Sequence, residues 1–168
     1  MKAGVPPETS IVNQATIHYD ADGDGTNDTD VPTDDPGNPG AGEATTFRVG
    51  LGFYTVPPCR ASDSRGGSSL LSGFTQSVPL AGVCGLPATA KAVAFNLTAV
   101  QPNTLGFLRA YPSGSPPGTV SQVNFGPGQT RTNNAIVGIG PDGNVIVLAA
   151  LTFGGVVDFV FDVVGYFE

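Results

Sequence analysis

The stretch R-T-N-N-A-I-V-G-I-G-P-D-G-N-V-I-V-L-A-A-L-T, residues 131–152, decides the fold, because two short apolar runs flank a turn signal. The segment G-P-D-G-N at 140–144 has the Asp-Gly chemistry that tight turns between strands prefer. Each flank has the length and composition of a strand. We therefore predict two strands, at 131–139 and 143–152, that are adjacent and antiparallel.

Short apolar runs separated by turns continue in both directions from this stretch. Turn signals include P-S-G-S-P-P-G at 112–118 and G-P-G-Q at 126–129. The chain has 24 glycines, 15 prolines and only 12% charged residues, and it shows no helix-length periodicity. An all-β, antiparallel β-sandwich or jelly-roll-like domain is expected over residues 46–168. Its predicted strands are 46–56, 69–78, 90–100, 105–112, 119–125, 131–139, 143–152 and 155–167.

Two predicted strands alternate between an apolar and a polar face. In the strand at 90–100, Asn96 and Thr98 lie opposite the apolar face, and in the last strand Asp158 and Asp162 do so. Because aliphatic residues also occupy the second faces, both strands are expected to be partly covered on both sides. The apolar faces consist of Val93, Phe95, Leu97 and Ala99, and of Val157, Phe159, Phe161 and Val163.

A partly covered carboxylate needs a partner. Arg60 and Arg65 flank Asp63 in the segment P-C-R-A-S-D-S-R at 58–65. We predict structural ion pairs in which Arg60 or Arg65 neutralises Asp63, Asp158 or Asp162. A cluster that binds carboxylates or sugars is the alternative.

The N-terminal region carries one alternating strand, Ile11 to Tyr19, with Ile11, Ala15, Ile17 and Tyr19 on its apolar face. A linker rich in Pro, Gly and Asp, residues 31–45, follows the acidic loop. The strand therefore has no evident local partner, and an isolated strand is unstable in water. We expect residues 1–30 to be the tail of a preceding β-domain or a donor strand, and the chain to be a segment of a longer secreted protein.

The loop D-A-D-G-D-G-T-N-D-T-D at 20–30 resembles a calcium loop. Its carboxylates Asp20, Asp22, Asp24 and Asp28 stand at positions 1, 3, 5 and 9, with Gly25 at the sharp turn. Position 12 is Val31, where a bidentate Glu is usual. Calcium is the predicted cofactor, and a solvated turn is the alternative.

Charge is distributed unevenly along the chain. Residues 1–45 hold one basic and nine acidic residues, whereas residues 46–168 hold six basic and five acidic ones. The acidic N-terminal region argues against nucleic acid or an anionic membrane as a partner. No run is long and apolar enough to span a bilayer as a helix.

Cys59 and Cys84 are the only cysteines, in loop-like contexts. His18 is the only histidine and lies far from both, so a metal site is disfavoured. A disulfide would imply an oxidising compartment. Two free thiols in a reducing compartment are the alternative.

From Phe53 to Phe167 the chain resembles a secreted β-module that recurs in actinobacterial, acidobacterial and myxobacterial surface proteins. The matching stretches are V-P-P-C-R-A-S-D-S-R at 56–65, C-G-L-P-A-T-A-K-A-V-A-F-N-L-T at 84–98, G-F-L-R-A-Y-P at 106–112, V-N-F-G-P-G-Q-T-R-T-N-N-A-I-V at 123–137 and D-F-V-F-D-V-V-G-Y-F at 158–167.

The first stretch usually reads P-C-R-x-x-D-T-R in that module, so Ser64 is a mild departure. Many members also carry a cysteine where this chain has Val147-Leu148-Ala149, and its absence here favours pairing of Cys59 with Cys84. Residues 3–35 resemble the C-terminal edge of β-sandwich repeats in large bacterial adhesin-like proteins. The resemblance implies a secreted or cell-surface location and implies no activity.

We do not predict catalysis, because the sequence has no G-x-S-x-G, H-E-x-x-H or phosphate-binding motif. Two-carboxylate glycosidase chemistry is formally open to Asp158 and Asp162, but a structural role explains them better. The expected function is a non-catalytic extracellular structural module of a bacterial surface protein or fibre. It would form homo-oligomers by donating Ile11–Tyr19 to a neighbouring subunit. A carbohydrate- or ligand-binding module with a glycan partner is the alternative.

Overall fold

A computed structural model describes residues 9–33, 42–48 and 50–168. The chain divides into two compact units, Met1–Leu51 and Gly52–Glu168, and each is described by itself. Among the described residues every regular element is a strand. In chain order these are β1 (Ser10–Asn13), β2 (Thr16–Tyr19), β3 (Thr29–Pro32), β4 (Thr45–Arg48), β5 (Phe53–Asp63), β6 (Leu70–Leu71), β7 (Thr75–Pro79), β8 (Ala92–Val100), β9 (Gly106–Pro112), β10 (Val123–Phe125), β11 (Arg131–Gly138), β12 (Asn144–Leu151) and β13 (Val156–Phe167).

The second unit, which we call the body, is an antiparallel β-sandwich, which confirms the predicted fold class. One sheet has the order β10-β9-β12-β7, and the other has the order β11-β8-β13-β5, with β6 paired to β13. The second sheet is built on β13, which pairs with β8, β5 and β6.

Alternation of apolar side chains produces the core between the two sheets. Phe159, Phe161 and Val163 of β13 are fully buried, as are Phe95 and Leu97 of β8. The rings of Phe95 and Phe161 stack with centroids 4.1 Å apart. The opposite sheet supplies the other half of the core from β7, β9, β10 and β12, with Val78, Leu108, Val123, Val145 and Val147. The apolar faces predicted for β8 and β13 are thus the inner faces of one sheet.

The predicted hairpin around G-P-D-G-N is wrong, although the turn itself is present. β11 pairs with β8, whereas β12 pairs with β7 and β9, so the turn crosses from one sheet to the other. Its polar groups bond to other loops: Leu80 N–H donates to the Gly143 carbonyl at 3.0 Å, and Asp142 contacts the Ser113 hydroxyl. The two flanking strands lie in different sheets, and each sheet packs its apolar residues into the same core from its own side.

The predicted strand at 46–56 ends too early, because its second part is the start of the long edge strand β5, which contains Pro57 and Pro58. The structure continues the strand to Asp63 with an irregular register between Cys59 and Thr55. Proline lacks the N–H that a central strand must donate, but β5 ends the sheet and tolerates it. The predicted strand at 69–78 is likewise two strands, β6 and β7.

The first unit corrects the prediction of one unpaired strand from Ile11 to Tyr19. The segment breaks at Ala15, whose N–H donates to Thr33 Oγ1 at 2.9 Å and whose carbonyl accepts the Thr33 N–H at 2.7 Å. The two halves are β1, which pairs with β4, and β2, which pairs with β3. Residues 45–48 therefore belong with the N-terminal strand and do not begin the sandwich. Most of the predicted linker, residues 34–41, lies outside the described residues.

The Cys59–Cys84 disulfide is present, with Cα atoms 5.6 Å apart. It connects the edge strand β5 to the loop before β8, and Cys84 packs partly against the core. The bond closes a loop of 25 residues. Such a cross-link reduces the conformational freedom of the unfolded chain.

We predict that a Cys59→Ser/Cys84→Ser variant remains folded but loses about 3–4 kcal/mol of unfolding free energy, as loop-closure entropy implies for this loop length. Urea denaturation of the variant and of the oxidised protein measures the difference. Dithiothreitol should destabilise the wild type and leave the variant unchanged. Equal midpoints for wild type and variant would contradict the prediction.

Candidate functional site

Arg60 occupies the outer face of the edge strand β5, where it lies opposite Asp162 of β13. Its Nε donates to Asp162 Oδ1 at 2.8 Å, and its second terminal nitrogen donates to Oδ2 at 3.2 Å. The pair is therefore bidentate, the geometry in which a planar guanidinium binds a carboxylate most strongly. A register irregularity next to Asp162 brings the two residues opposite each other.

Asp63 links this pair to Arg65. It accepts hydrogen bonds from Arg65 at 2.6 and 2.9 Å and from the Arg60 guanidinium at 3.2 Å. Hydrogen bonds from Arg65 hold the pKa of Asp63 well below its usual range. The structure thus brings together four of the five residues predicted to form ion pairs: Arg60, Asp63, Arg65 and Asp162.

Asp158, the fifth predicted residue, has a different partner. The buried Ser64 donates from its hydroxyl to Asp158 Oδ1 at 2.9 Å and accepts the Phe159 N–H at 2.8 Å. Ser64 therefore holds the end of β5 against β13. Sequence reasoning did not assign this role to Ser64. Ser here and Thr in the resembled motif can both make these bonds, but a hydroxyl is too common on protein surfaces to indicate this role from the sequence.

The ion pair continues across the sheet as a row of polar side chains. Asn96 of β8 lies opposite Asp162, and Asn134 of β11 lies opposite Asn96. We call Arg60, Asp162, Asn96 and Asn134 the polar row. Asn134, on an edge strand, was not predicted to contribute, because its position depends on strand register. Among the described residues neither the Asn96 nor the Asn134 side-chain amide has a hydrogen-bond partner, so both side chains can bond to a ligand.

Two shallow cavities flank the polar row. One of about 540 Å³ lies against Ala94, Asn96, Asn134, Ile136 and Val164. The second, of about 410 Å³, lies against Arg60, Asp162, Asn96 and Val164. Because they share Asn96 and Val164, they form one groove with amides and an ion pair on one side and aliphatic carbon on the other. This surface can hydrogen-bond a neutral polar ligand.

The acidic loop clusters three of the four predicted calcium ligands. Carboxylate oxygens of Asp20, Asp22 and Asp24 lie within 4.8 Å of one another, and Asp28 is not in the group. Asp20 accepts backbone N–H groups of Gly23 at 2.6 Å and Gly25 at 2.7 Å. These hydrogen bonds lower the pKa of the Asp20 carboxyl, and the bond from Gly25 has the largest effect. Three clustered carboxylates fit a hard divalent cation in charge and donor type, and the remaining ligands would be carbonyl oxygens or water.

The residues predicted for self-association are divided between two ribbons. Ile11 lies on β1, while Ile17 and Tyr19 lie on β2 and are 54% and 43% exposed. Ala15 stands at the break between the strands. The polar face of β2 carries His18, whose Nδ1 contacts the Asp30 carboxylate across the β2–β3 pair.

No protein-family model and no curated protein matches the chain. Among solved structures it is similar to the coat protein of Tobacco streak virus, with a TM-score of 0.36 and 16% sequence identity. The similarity covers 68% of this chain and 85% of that chain. At this level it carries no argument about function, and the fold assignment rests on the two sheets themselves. In the part of the chain that the structure describes, no helix is long and apolar enough to cross a membrane.

We predict that Asp63→Asn lowers stability at about pH 6 and that its difference from wild type shrinks as the pH falls below the unfolded carboxyl value of about 3.9. A carboxyl with a lowered folded pKa stabilises the fold above its unfolded pKa and loses that contribution as the pH falls through the folded value. Urea midpoints across this pH range measure the effect. A difference independent of pH would contradict it.

Proposed function

We propose that the chain is a non-catalytic, extracellular structural module of a bacterial surface protein or fibre, and that its N-terminal strands join it to neighbouring copies. One observation carries the proposal. Every buried hydrophobic side chain of the described residues lies in the body, whereas Val12, Ile17 and Val31 of the N-terminal strands are exposed. The core of the body is made by the body's own strands, and the exposed apolar side chains of the N-terminal strands offer surface to a neighbouring copy.

The described N-terminal strands have the properties of an association element. Each of their two sheets has two strands, and two-stranded ribbons are marginally stable in water. Val12, Ile17 and Val31 are 61%, 54% and 42% exposed. Open edges offer backbone hydrogen bonds to another strand, and the apolar side chains would be buried when a neighbouring copy pairs with them.

The paired strands revise how strand donation works. A lone Ile11–Tyr19 strand would pair with a neighbouring sheet without first losing hydrogen bonds within its own chain. Here β2 either adds its open edge to a neighbouring sheet or first leaves β3. Edge addition keeps the β2–β3 hydrogen bonds, so we propose it as the main route.

An extracellular location is supported by the disulfide. Such bonds persist in oxidising compartments and are rare in the cytosol. A covalent link between an edge strand and a core loop also suits a protein that lacks chaperone support outside the cell.

We predict that the full chain forms assemblies larger than a dimer and that a chain lacking residues 1–51 does not. Sedimentation velocity and negative-stain electron microscopy of both proteins measure this. Ile17→Asp/Val31→Asp in the full chain should reproduce the effect of the deletion, because charge on the exposed faces opposes their burial. The matched control Val120→Asp/Ile136→Asp places the same two charges on exposed positions of the body and should leave assembly unchanged. A full chain that never exceeds a dimer would contradict the proposal.

We propose calcium as the cation of the acidic loop, with Asp20, Asp22 and Asp24 as ligands. Calorimetric titration should show binding that Asp22→Ala/Asp24→Ala abolishes. Asp28→Ala, outside the cluster, should weaken binding far less. Calcium should also protect the loop from proteolysis in the wild type only. No heat and no protection would leave the loop a solvated turn.

A glycan-binding module is the second candidate, and the polar row favours it. The Asn96 and Asn134 amides can each donate and accept, which suits sugar hydroxyl groups. Phe53 and Tyr54, about half exposed, add aromatic surface to the body. A glycan array should then detect binding that Asn96→Ala/Asn134→Ala removes and Thr132→Ala retains. Signals identical in all three proteins would dismiss this candidate.

A further inference from the structure

Exposed apolar side chains cluster around the turn between β12 and β13. We call Leu71, Phe74, Leu105, Leu151 and Phe153 the apolar end. Phe153 is completely exposed, and Leu71, Phe74 and Leu105 are 49%, 62% and 59% exposed. Four of them, all except Leu105, line a single cavity of about 440 Å³. The Thr152 N–H donates to the Leu105 carbonyl at 3.1 Å, which places Leu105 beside the same turn.

The exposure of Phe153 is a consequence of the tight turn. Gly155 N–H donates to the Thr152 carbonyl at 2.9 Å, and Gly154 has a φ of +75°. A side chain at Gly155 would lie 2.4 Å from Thr104 Oγ1 and 2.5 Å from Leu151 Cβ, so the backbone is closely packed here. Phe153 therefore projects from the tip of the turn, away from the core. A contiguous apolar patch of several hundred Å² on a protein surface is often an interaction site.

Charge indicates what kind of partner fits. The segments 66–90, 101–108 and 143–157, which supply the apolar end, contain no charged residue. The charged residue that lines a neighbouring cavity with Leu71 and Phe74 is Asp63, and it is paired with Arg65, so neither an acidic nor a basic partner is favoured. The body, residues 52–168, has five basic and five acidic residues and thus no net charge, so two copies of it do not repel each other.

Shape indicates the same partner. A projecting ring stands beside a cavity lined by Leu71 and Phe74, so the surface has both a knob and a hole. In a dimer with two-fold symmetry, the projecting ring of each copy would enter the cavity of the other, because an isologous interface uses the same surface on both copies. We propose that the apolar end binds the apolar end of a second copy, with Phe153 of each copy in the cavity of the other.

Exposed area determines how strong this contact can be. At roughly 200 Å² per large side chain, the exposed fractions correspond to roughly 500 Å² on each copy. The total of about 1,000 Å² is at the lower limit for specific interfaces. The dimer is therefore weak and reversible. This contact lies in the body and is independent of the N-terminal strands.

Sedimentation velocity over a concentration series of the chain lacking residues 1–51 tests the proposal, since the body holds its own core. The wild-type body should move from monomer to dimer. Phe153→Ser should weaken dimerisation by about 30-fold or more, because a central aromatic carries much of the energy of an interface. Phe153→Leu should restore most of it. Val120→Ser, at a position 70% exposed outside the apolar end, should change nothing.

Added sodium chloride should leave the dimer intact, because no charges contribute to it. A body that stays monomeric throughout, a Phe153→Ser dimer as strong as wild type, or a dimer that salt dissociates would each overturn the proposal. Failure here differs from failure of the proposed function. That function fails when the full chain does not grow beyond a dimer, whatever the body does.

Discussion

The stacking of Phe161 on Phe95, with centroids 4.1 Å apart, holds the centre of the body together. It joins β13 to β8, and β13 is the strand to which β8, β5 and β6 all bond. Because inner and outer residues alternate, burying Phe161 also fixes the next residue, Asp162, on the outer face. On that outer face Asp162 lies opposite Arg60 of β5 and Asn96 of β8, which gives the ion pair and the polar row.

Much of this body could be predicted from the sequence, because the alternation of apolar and polar residues along a strand shows which face is buried. Val157, Phe159, Phe161 and Val163 were assigned to one face and are all buried. Sheet partners could not be predicted in the same way. The turn at Asp142 shows that the chain reverses, but only the full set of hydrogen bonds shows that it changes sheets. The strand β3, T-D-V-P, was missed because a charge and a proline hide its pattern.

The candidate sites show the same limit. Asp162 was expected to need a cationic partner because a carboxylate on a partly covered strand is costly. The two arginines that flank Asp63 in the sequence, Arg60 and Arg65, were the evident partners and were enough for that prediction. Asn134 and Ser64 gave no such signal, since an amide or hydroxyl is common on any surface and only strand register brings these two to their partners. Two separate association surfaces, the N-terminal strands and the apolar end, would give each chain the connections that a fibre needs.

Amide hydrogen exchange of the full chain as a function of protein concentration tests most directly whether the N-terminal strands pair with other copies. In a dilute solution, amides of β2 and β3 should exchange quickly, because a two-stranded ribbon opens easily. Amides of β13 should be protected at every concentration, since they open only with the core. The account predicts that protection of β2 and β3 rises with concentration while that of β13 stays constant. Exchange of β2 and β3 that is independent of concentration would contradict it.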